Sequence, residues 1–315
     1  MQAPKKLWAL GLLLVAVVLL YMFTFTGSRP DFVLPRRGYK IAAMLLVSCA
    51  VAYSSVVFQT ISANRILTPS IMGFDSFFLL IQAMLVFSYG DRTFEVLNSE
   101  VNFLISVVGM LLFAVLMYLT VFRKENKSIY LLLLVGLIVG TLFRSLTSFV
   151  VLLLDPNEFQ VLQSSMFASF EHINVQLLGM SAVVLGAAML YGSRFFAELD
   201  VLNLGRENAI SLGVNYNRLI RQNLMLIAVM VAVSTALVGP IIFLGILVAN
   251  LSYELLKSGR HAVVIAGCCM LTGITVVGGQ YLVEHLFNMS TTVSIIINFV
   301  GGIYFIFLLL KSNQS

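Results

Sequence analysis

LWALGLLLVAVVLLYMFTF, residues 7–25, decides what solvent this chain folds in. The run carries no charge, and about 20 apolar residues are what a helix needs to cross the hydrocarbon of a bilayer. It is longer than a signal-peptide core and no small-x-small cleavage site follows it, so it reads as an uncleaved first span. The rest of the chain repeats the theme. Of 315 residues, 60% are hydrophobic and 10% charged, with a mean hydropathy of +0.99. A soluble domain carries about 25% charged residues. The runs are continuously apolar rather than alternating, which selects helices over a β-barrel.

Ten such runs fit, at about 6–26, 40–62, 74–89, 101–122, 129–154, 173–196, 219–238, 241–256, 261–282 and 292–310. The expected fold is therefore an all-α integral membrane protein, one transmembrane domain over 1–315. No sizeable soluble part remains. An even number of spans puts both termini on one side. Lys5, Lys6, Arg123, Lys124, Lys127, Arg206, Arg218, Arg221, Lys257, Arg260 and Lys311 all fall there, and the positive-inside bias makes that side cytoplasmic. The net charge of +5 thus reports topology and gives no reason to expect nucleic acid.

One loop breaks the bias. Arg29, Arg36, Arg37 and Lys40 lie between spans one and two, on the outer face. Either they snorkel to lipid headgroups, or they dock an acidic partner from outside. After span five, Asp155, Pro156 and Glu158 form a helix-start signature: a cap, proline at the first position and a carboxylate at the third. The segment EFQVLQSSMFASF, residues 158–170, is too short and polar to span, so a short helix at the outer mouth is expected.

Signatures of bond chemistry are missing. There is no GxxxxGK[ST], HExxH, paired CxxC or GxSxG. His172, His261 and His285 lie near span ends on different loops, and a joint metal site among them is not expected. Cys49, Cys268 and Cys269 lie in apolar runs and read as packing residues. Gln59, Gln82, Arg144, Gln280 and Asn298 are the polar residues that stand out inside spans. Arg144, with Ser145, Thr147 and Ser148 near it, has two readings. It lines a polar conduit for an anionic cargo, or it pairs structurally with a carboxylate or backbone carbonyls.

The largest polar loop, about 197–216, contains LNLGRENAISLGV, residues 202–214. It is too polar to cross a membrane and reads as two short helical pieces punctuated by Gly205 and Gly213. The spacing places Leu202, Leu204, Ala209 and Leu212 on one side, with Arg206, Glu207 and Asn208 elsewhere. A partly apolar knob of this kind either lies in the headgroup layer or seats in a partner protein.

Together these features resemble the permease subunits of type II ABC importers, the FecCD family of iron–siderophore and vitamin B12 transporters. The likeness runs from about residue 36 to 311. In FQTISANRILTPSIMG, residues 58–73, Gln59, Asn64, Pro69 and Gly73 match the family pattern, while Arg65 stands for a proline and Ile66-Leu67 for Leu-Ala. The resemblance implies an inner gate at Asn64 and Ile66. The family's Arg-Leu-Pro-Arg falls on Arg37, Gly38, Tyr39 and Lys40, with a literal Leu34-Pro35-Arg36 slightly earlier. That implies docking of a substrate-binding protein on Arg36, Arg37 and Lys40. Leu202, Leu204, Gly205, Ala209, Leu212 and Gly213 match the pattern of the coupling helices, which implies a seat in a separate ATP-binding subunit.

In ALVGPIIFLGILVANLSYEL, residues 236–255, Gly239, Pro240, Ile241, Phe243 and Gly245 match, but Ala249-Asn250 stand where Pro-His is usual. Gly301 and Phe305 match a further pattern in which Ile303 replaces proline. Before the last span, Glu284 and His285 occupy the place of a basic outer residue.

The resemblance implies a permease subunit in a bacterial cytoplasmic (inner) membrane. It pairs with a second permease, identical or a sister, and with two ATPase subunits, and itself hydrolyses nothing and holds no cofactor. Ferric siderophore is the expected cargo. Ala168-Ser169-Phe170, after Met166 and Phe167, is similar to the catecholate branch, and vitamin B12 or haem are the alternatives. A secondary transporter driven by an ion gradient is a different class. It places acidic residues within spans, and Asp75 is the candidate here.

Overall fold

The computed structural model describes residues 3–24, 30–90, 93, 97–122, 129–171, 173–287 and 291–312. Among them lie thirteen α-helices and no strand. They are α1 (Ala3–Phe23), α2 (Pro30–Ile61), α3 (Phe74–Tyr89), α4 (Ser99–Phe122), α5 (Ile129–Val151), α6 (Pro156–Met166), α7 (Val175–Gly192), α8 (Phe196–Leu202), α9 (Arg206–Ser211), α10 (Tyr216–Val238), α11 (Leu244–Leu256), α12 (His261–His285) and α13 (Val293–Ser312). Seven stretches are long and apolar enough to cross a bilayer: α1, α2, α4, α5, α7 running on into α8, α10 and α12. The shorter apolar α3, α11 and α13 bring the number to ten, as the sequence predicts.

Burial sorts these helices into layers. About two-thirds of the spanning windows of α2 and α10 is buried (67% each), against 6% for α1. So α2 and α10 form the core, and α1 lies outside, against α12. Small residues make the close approach possible, as expected where lipid tails offer no hydrophobic drive. Ala43, Ser48, Ala50, Ala52, Ser54 and Ser55 are all buried along α2.

Helix α3 is short because its entry is a fixed turn. Pro69–Met72 forms a 3-10 turn that ends at Gly73, whose φ of +86° is the left-handed region. This turn presses on Gly136 and Gly140 of α5. A Cβ on Gly136 would lie 2.8 Å from the Met72 Cα, and one on Gly73 would lie 3.0 Å from the Gly140 Cα. Both neighbours are backbone and cannot rotate away. We therefore expect Gly136→Val to cost about 1–3 kcal/mol or more through overpacking. Thermal unfolding of the detergent-solubilised protein measures it, and an unchanged midpoint would contradict the close contact.

Helices α3, α4 and α5 are further joined by an aromatic cluster. Phe77 stacks on Phe113 at 5.0 Å and lies 4.8 Å from Phe143, with edge contacts from Phe74 to Phe113 and Phe113 to Phe143. Gln82 Nε2 donates to Ser106 Oγ at 2.9 Å and to Asn102 Oδ1 at 3.1 Å, which accounts for that intramembrane polar residue.

Several expected boundaries change. Helix α2 starts ten residues early, at Pro30, with Pro35 inside it, so Arg36, Arg37 and Lys40 sit on the helix and not in a loop. Helix α11 starts at Leu244 rather than 241, because Gly239 has φ +98° and Pro240 follows, leaving 239–243 unwound. Helix α1 reaches back to Ala3. The short helix α6 has the expected capping box, with Asp155 N–H donating to Glu158 Oε2 at 3.0 Å. Its Leu162 is fully buried with Ala83 and Val86 of α3 and Val150 of α5.

Candidate functional site

Two ends of the bundle carry the functional candidates. At the first, α7 turns through a 3-10 segment, Ser193–Phe195, into α8 and then α9. Gly205, at φ +104°, separates the two short helices. The end of α9 is closed by Gly213 N–H to Ile210 O and Val214 N–H to Ala209 O, both 3.0 Å, with Gly213 at φ +85°. This is the left-handed helix stop that glycine favours.

The apolar residues of this knob do not share one side, contrary to the expectation from spacing. Leu202 and Ala209 are buried at 6% and 0% exposure, whereas Leu204 and Leu212 stand out at 62% and 64%. The turn at Gly205 folds α9 back, so one pair holds the knob together and the other is presented. Ile210, half exposed, joins Leu204 and Leu212 outside. Around them Asn208 Nδ2 donates to Leu204 O at 2.7 Å and the Arg206 guanidinium lies over the Tyr216 ring at 4.9 Å.

The knob is wired to its neighbours. Asp200, on α8, accepts at one oxygen from the His261 backbone N–H and contacts His261 Nδ1, both 2.6 Å. It therefore caps the start of α12 from another helix, an arrangement that satisfies an orphan donor. The other ring nitrogen, Nε2, meets Thr60 Oγ1 at 2.8 Å, near the end of α2. Asp200, His261 and Thr60 thus join α8, α12 and α2. Nothing local in the sequence announces this trio.

The loop after α2 lies at the same end. Asn64 is exposed, and its Oδ1 accepts from the Ile66 N–H at 2.9 Å, a local turn. Ile66 is half-buried. Asn250 Nδ2 donates to Arg65 O at 2.9 Å, and the Arg65 guanidinium covers the Tyr253 ring at 4.7 Å. Arg65 and Asn250 are both departures from the expected pattern, and they touch each other. Lys6 Nζ donates to Leu255 O at 2.7 Å, which brings the start of α1 here too.

At the opposite end the basic residues are mostly engaged within the chain. Arg37 Nη1 donates to the carbonyls of Tyr21, Met22 and Thr24, at 2.8, 3.1 and 2.6 Å. It caps the end of α1, where unpaired carbonyls favour a cation. Lys40 pairs with Glu284 at 2.9 Å, and the same carboxylate oxygen accepts from Tyr21 Oη and Gln280 Nε2. These contacts fasten α1 and α12 to α2, and both Arg37 and Lys40 still line the outer hollow. Arg36 is exposed, stacked over Phe32 at 4.3 Å, and opens on a hollow of about 690 Å³ that Tyr39 and Glu171 also line.

Arg144 Nε donates to Ser76 Oγ at 3.1 Å, and the side chain is exposed on α5. The Asp75 carboxylate on α3 also lies within reach of its charge. His285 Nδ1 contacts Tyr281 O at 3.0 Å, far along α12 from His261. No cluster of three metal-ligating side chains occurs among the described residues. Arg29, Arg123, Lys124, Lys127 and His172, and the Lys311 side chain, lie outside the described residues.

Comparison with known proteins agrees with this architecture. The chain is 48% identical to the petrobactin import system permease protein YclO of Bacillus subtilis (strain 168), over the full length of both. It is 33% identical to the petrobactin import system permease protein FatC of Bacillus anthracis, over 97% of this chain and 87% of that one. A solved metal-chelate type ABC transporter in an inward-facing conformation shares the fold, with a TM-score of 0.84 at 24% identity over 98% of this chain and 99% of its own. Residues 7–311 match the FecCD transport family. With ten apolar helices and a glycine-framed knob at one end, this chain belongs to the FecCD transport family.

Proposed function

We propose that this chain is the membrane-spanning permease subunit of a bacterial ABC importer for ferric siderophores, with petrobactin-type cargo first among them. The observation that carries this reading is full-length likeness, at 48% identity, to a petrobactin permease. The knob supports the coupling half of the reading: Leu204, Ile210 and Leu212 form an exposed apolar face held on a rigid two-helix frame. It seats in an ATP-binding subunit, which hydrolyses ATP while this chain makes and breaks no bond.

The knob end faces the cytoplasm of the inner membrane, with both termini on that side, as the basic residues require. A substrate-binding protein approaches the opposite end, where Arg36 is exposed and Arg37 and Lys40 line the same hollow. A second permease, identical or a sister, faces Arg144 on α5, so that the arginine reaches an anionic complex from the wall between two subunits. Asn64 and Ile66 close the inner side. All 315 residues act as one transmembrane domain.

Uptake of radiolabelled iron tests the cargo. In cells lacking this gene, ferric petrobactin uptake is expected to fall at least tenfold, while ferric hydroxamate and ferric citrate enter unchanged. Loss for a different class would reassign the cargo. No loss in a strain stripped of other importers would favour vitamin B12 or haem.

A further inference from the structure

Behind the unwound segment 239–243 lies a cavity of about 30 Å³ with an unusual lining for a membrane interior. Asp75 faces it, only 7% exposed, together with hydroxyls of Ser54, Ser55, Ser70, Ser234 and Thr235. Ser70 hydrogen-bonds the carboxylate, but Asp75 Oδ2 has no partner among the described residues. A buried carboxylate oxygen left alone is costly, and such groups are paired or bind an ion. The volume suits one or two water-sized occupants.

The surrounding dipoles select the sign of the occupant. Ser54 Oγ donates to Val51 O at 3.1 Å, and Ser234 Oγ donates to Met230 O at 2.6 Å. Both hydroxyls have committed their protons to their own helices, so they offer lone pairs to a neighbour. Helix α10 ends at Val238, beside this cavity, and its last carbonyls carry the negative end of the helix dipole. Asp75 sits in the first turn of α3, where a helix N-terminus favours an ionised carboxylate. The Arg144 charge on α5 acts on the Asp75 carboxylate from one side, while its Nε–H goes to Ser76 and Asp75 Oδ2 is left without a hydrogen-bond partner among the described residues. Unwound backbone and helix C-termini are where transport proteins coordinate small cations. One carboxylate among neutral oxygens suits a single charge, since divalent sites gather several carboxylates.

We propose that the Asp75 cavity binds one monovalent cation of sodium size, coordinated by Asp75 Oδ2 and the Ser54 and Ser234 hydroxyls. The ion braces three elements at one point: the first turn of α3, the middle of α2 and the end of α10 just before the unwound 239–243 segment. This site stands apart from the cargo reading and holds whether or not the cargo is a siderophore.

Equilibrium binding of ²²Na⁺ to the purified transporter tests it, by scintillation proximity in choline-based buffer at constant ionic strength. We expect saturable binding of about one ion per chain, displaced by unlabelled Na⁺. Asp75→Asn should weaken it at least tenfold. Should that variant misfold, Ser54→Ala and Ser234→Ala, each severalfold weaker with the charge retained, provide the same test. No saturable binding by the wild-type protein would overturn the proposal and leave water as the occupant. Unchanged binding by Asp75→Asn in a folded protein would overturn it too.

Discussion

Leu204→Asp combined with Leu212→Asp is expected to abolish copurification of the ATP-binding subunit and, with it, uptake. Both side chains are more than 60% exposed in this chain, so the substitutions disturb nothing inside it. A leucine fully buried at a seat contributes about 1.5–3 kcal/mol. Losing two removes about 3 kcal/mol at the least, and two carboxylates pressed into an apolar cleft add a desolvation cost. Since 1.4 kcal/mol is tenfold in affinity, association should weaken by at least a hundredfold. Gel filtration should show a folded permease. Ala209→Asp makes the contrast: it puts a charge at a fully buried contact and should damage the knob itself. Normal copurification of the double variant would place the seat elsewhere on this end of the bundle.

That prediction depends on which leucines face out, and spacing alone does not say. Ten spans are legible because lipid demands unbroken apolar runs, and such runs survive any reading frame of a helix. Asp155-Pro156-x-Glu158 is legible because a capping box is made of neighbours in the chain. Gly205 and Gly213 are legible as breaks because a left-handed φ is theirs at little cost. What happens across a break is another matter. Leu202 ends α8 and Leu204 lies in the turn before Gly205, and there the first is buried and the second exposed, while beyond the break Ala209 is buried and Leu212 exposed.

Charges are harder still. Arg36 and Arg37, between Pro35 and Gly38, look like a loop, and the wrong-side bias then asks for an external partner. Within the chain, Arg37 reaches three carbonyls at the end of α1 and Lys40 a carboxylate 244 residues away. Contacts so distant leave no local periodicity to read. The same holds for Arg65 and Asn250: each looks like an isolated departure until the fold brings α11 beside the loop after α2.

Asp200→Ala should leave the ATP-binding subunit attached but cut uptake about tenfold or more. Its carboxylate hydrogen-bonds the start of α12 from α8, which carries the knob. Without it, the first N–H of α12 loses its cap, at a cost of about 0.5–2 kcal/mol, and the imidazole loses its orienting partner. The exposed leucines that make the seat are untouched, so association should persist. Motion of the knob would then reach α12 and the end of α2 only through looser packing. His261→Phe fills much of the same space and deletes both polar contacts, so it should reproduce the defect. His261→Asn keeps one donor for Asp200 and should restore part of the uptake. The reading that separates coupling from folding is the ratio of iron moved to ATP hydrolysed by the intact transporter. A variant that hydrolyses normally and transports little is uncoupled. A variant that loses both in proportion, with a lowered unfolding midpoint, would show that Asp200 and His261 only hold the helices together.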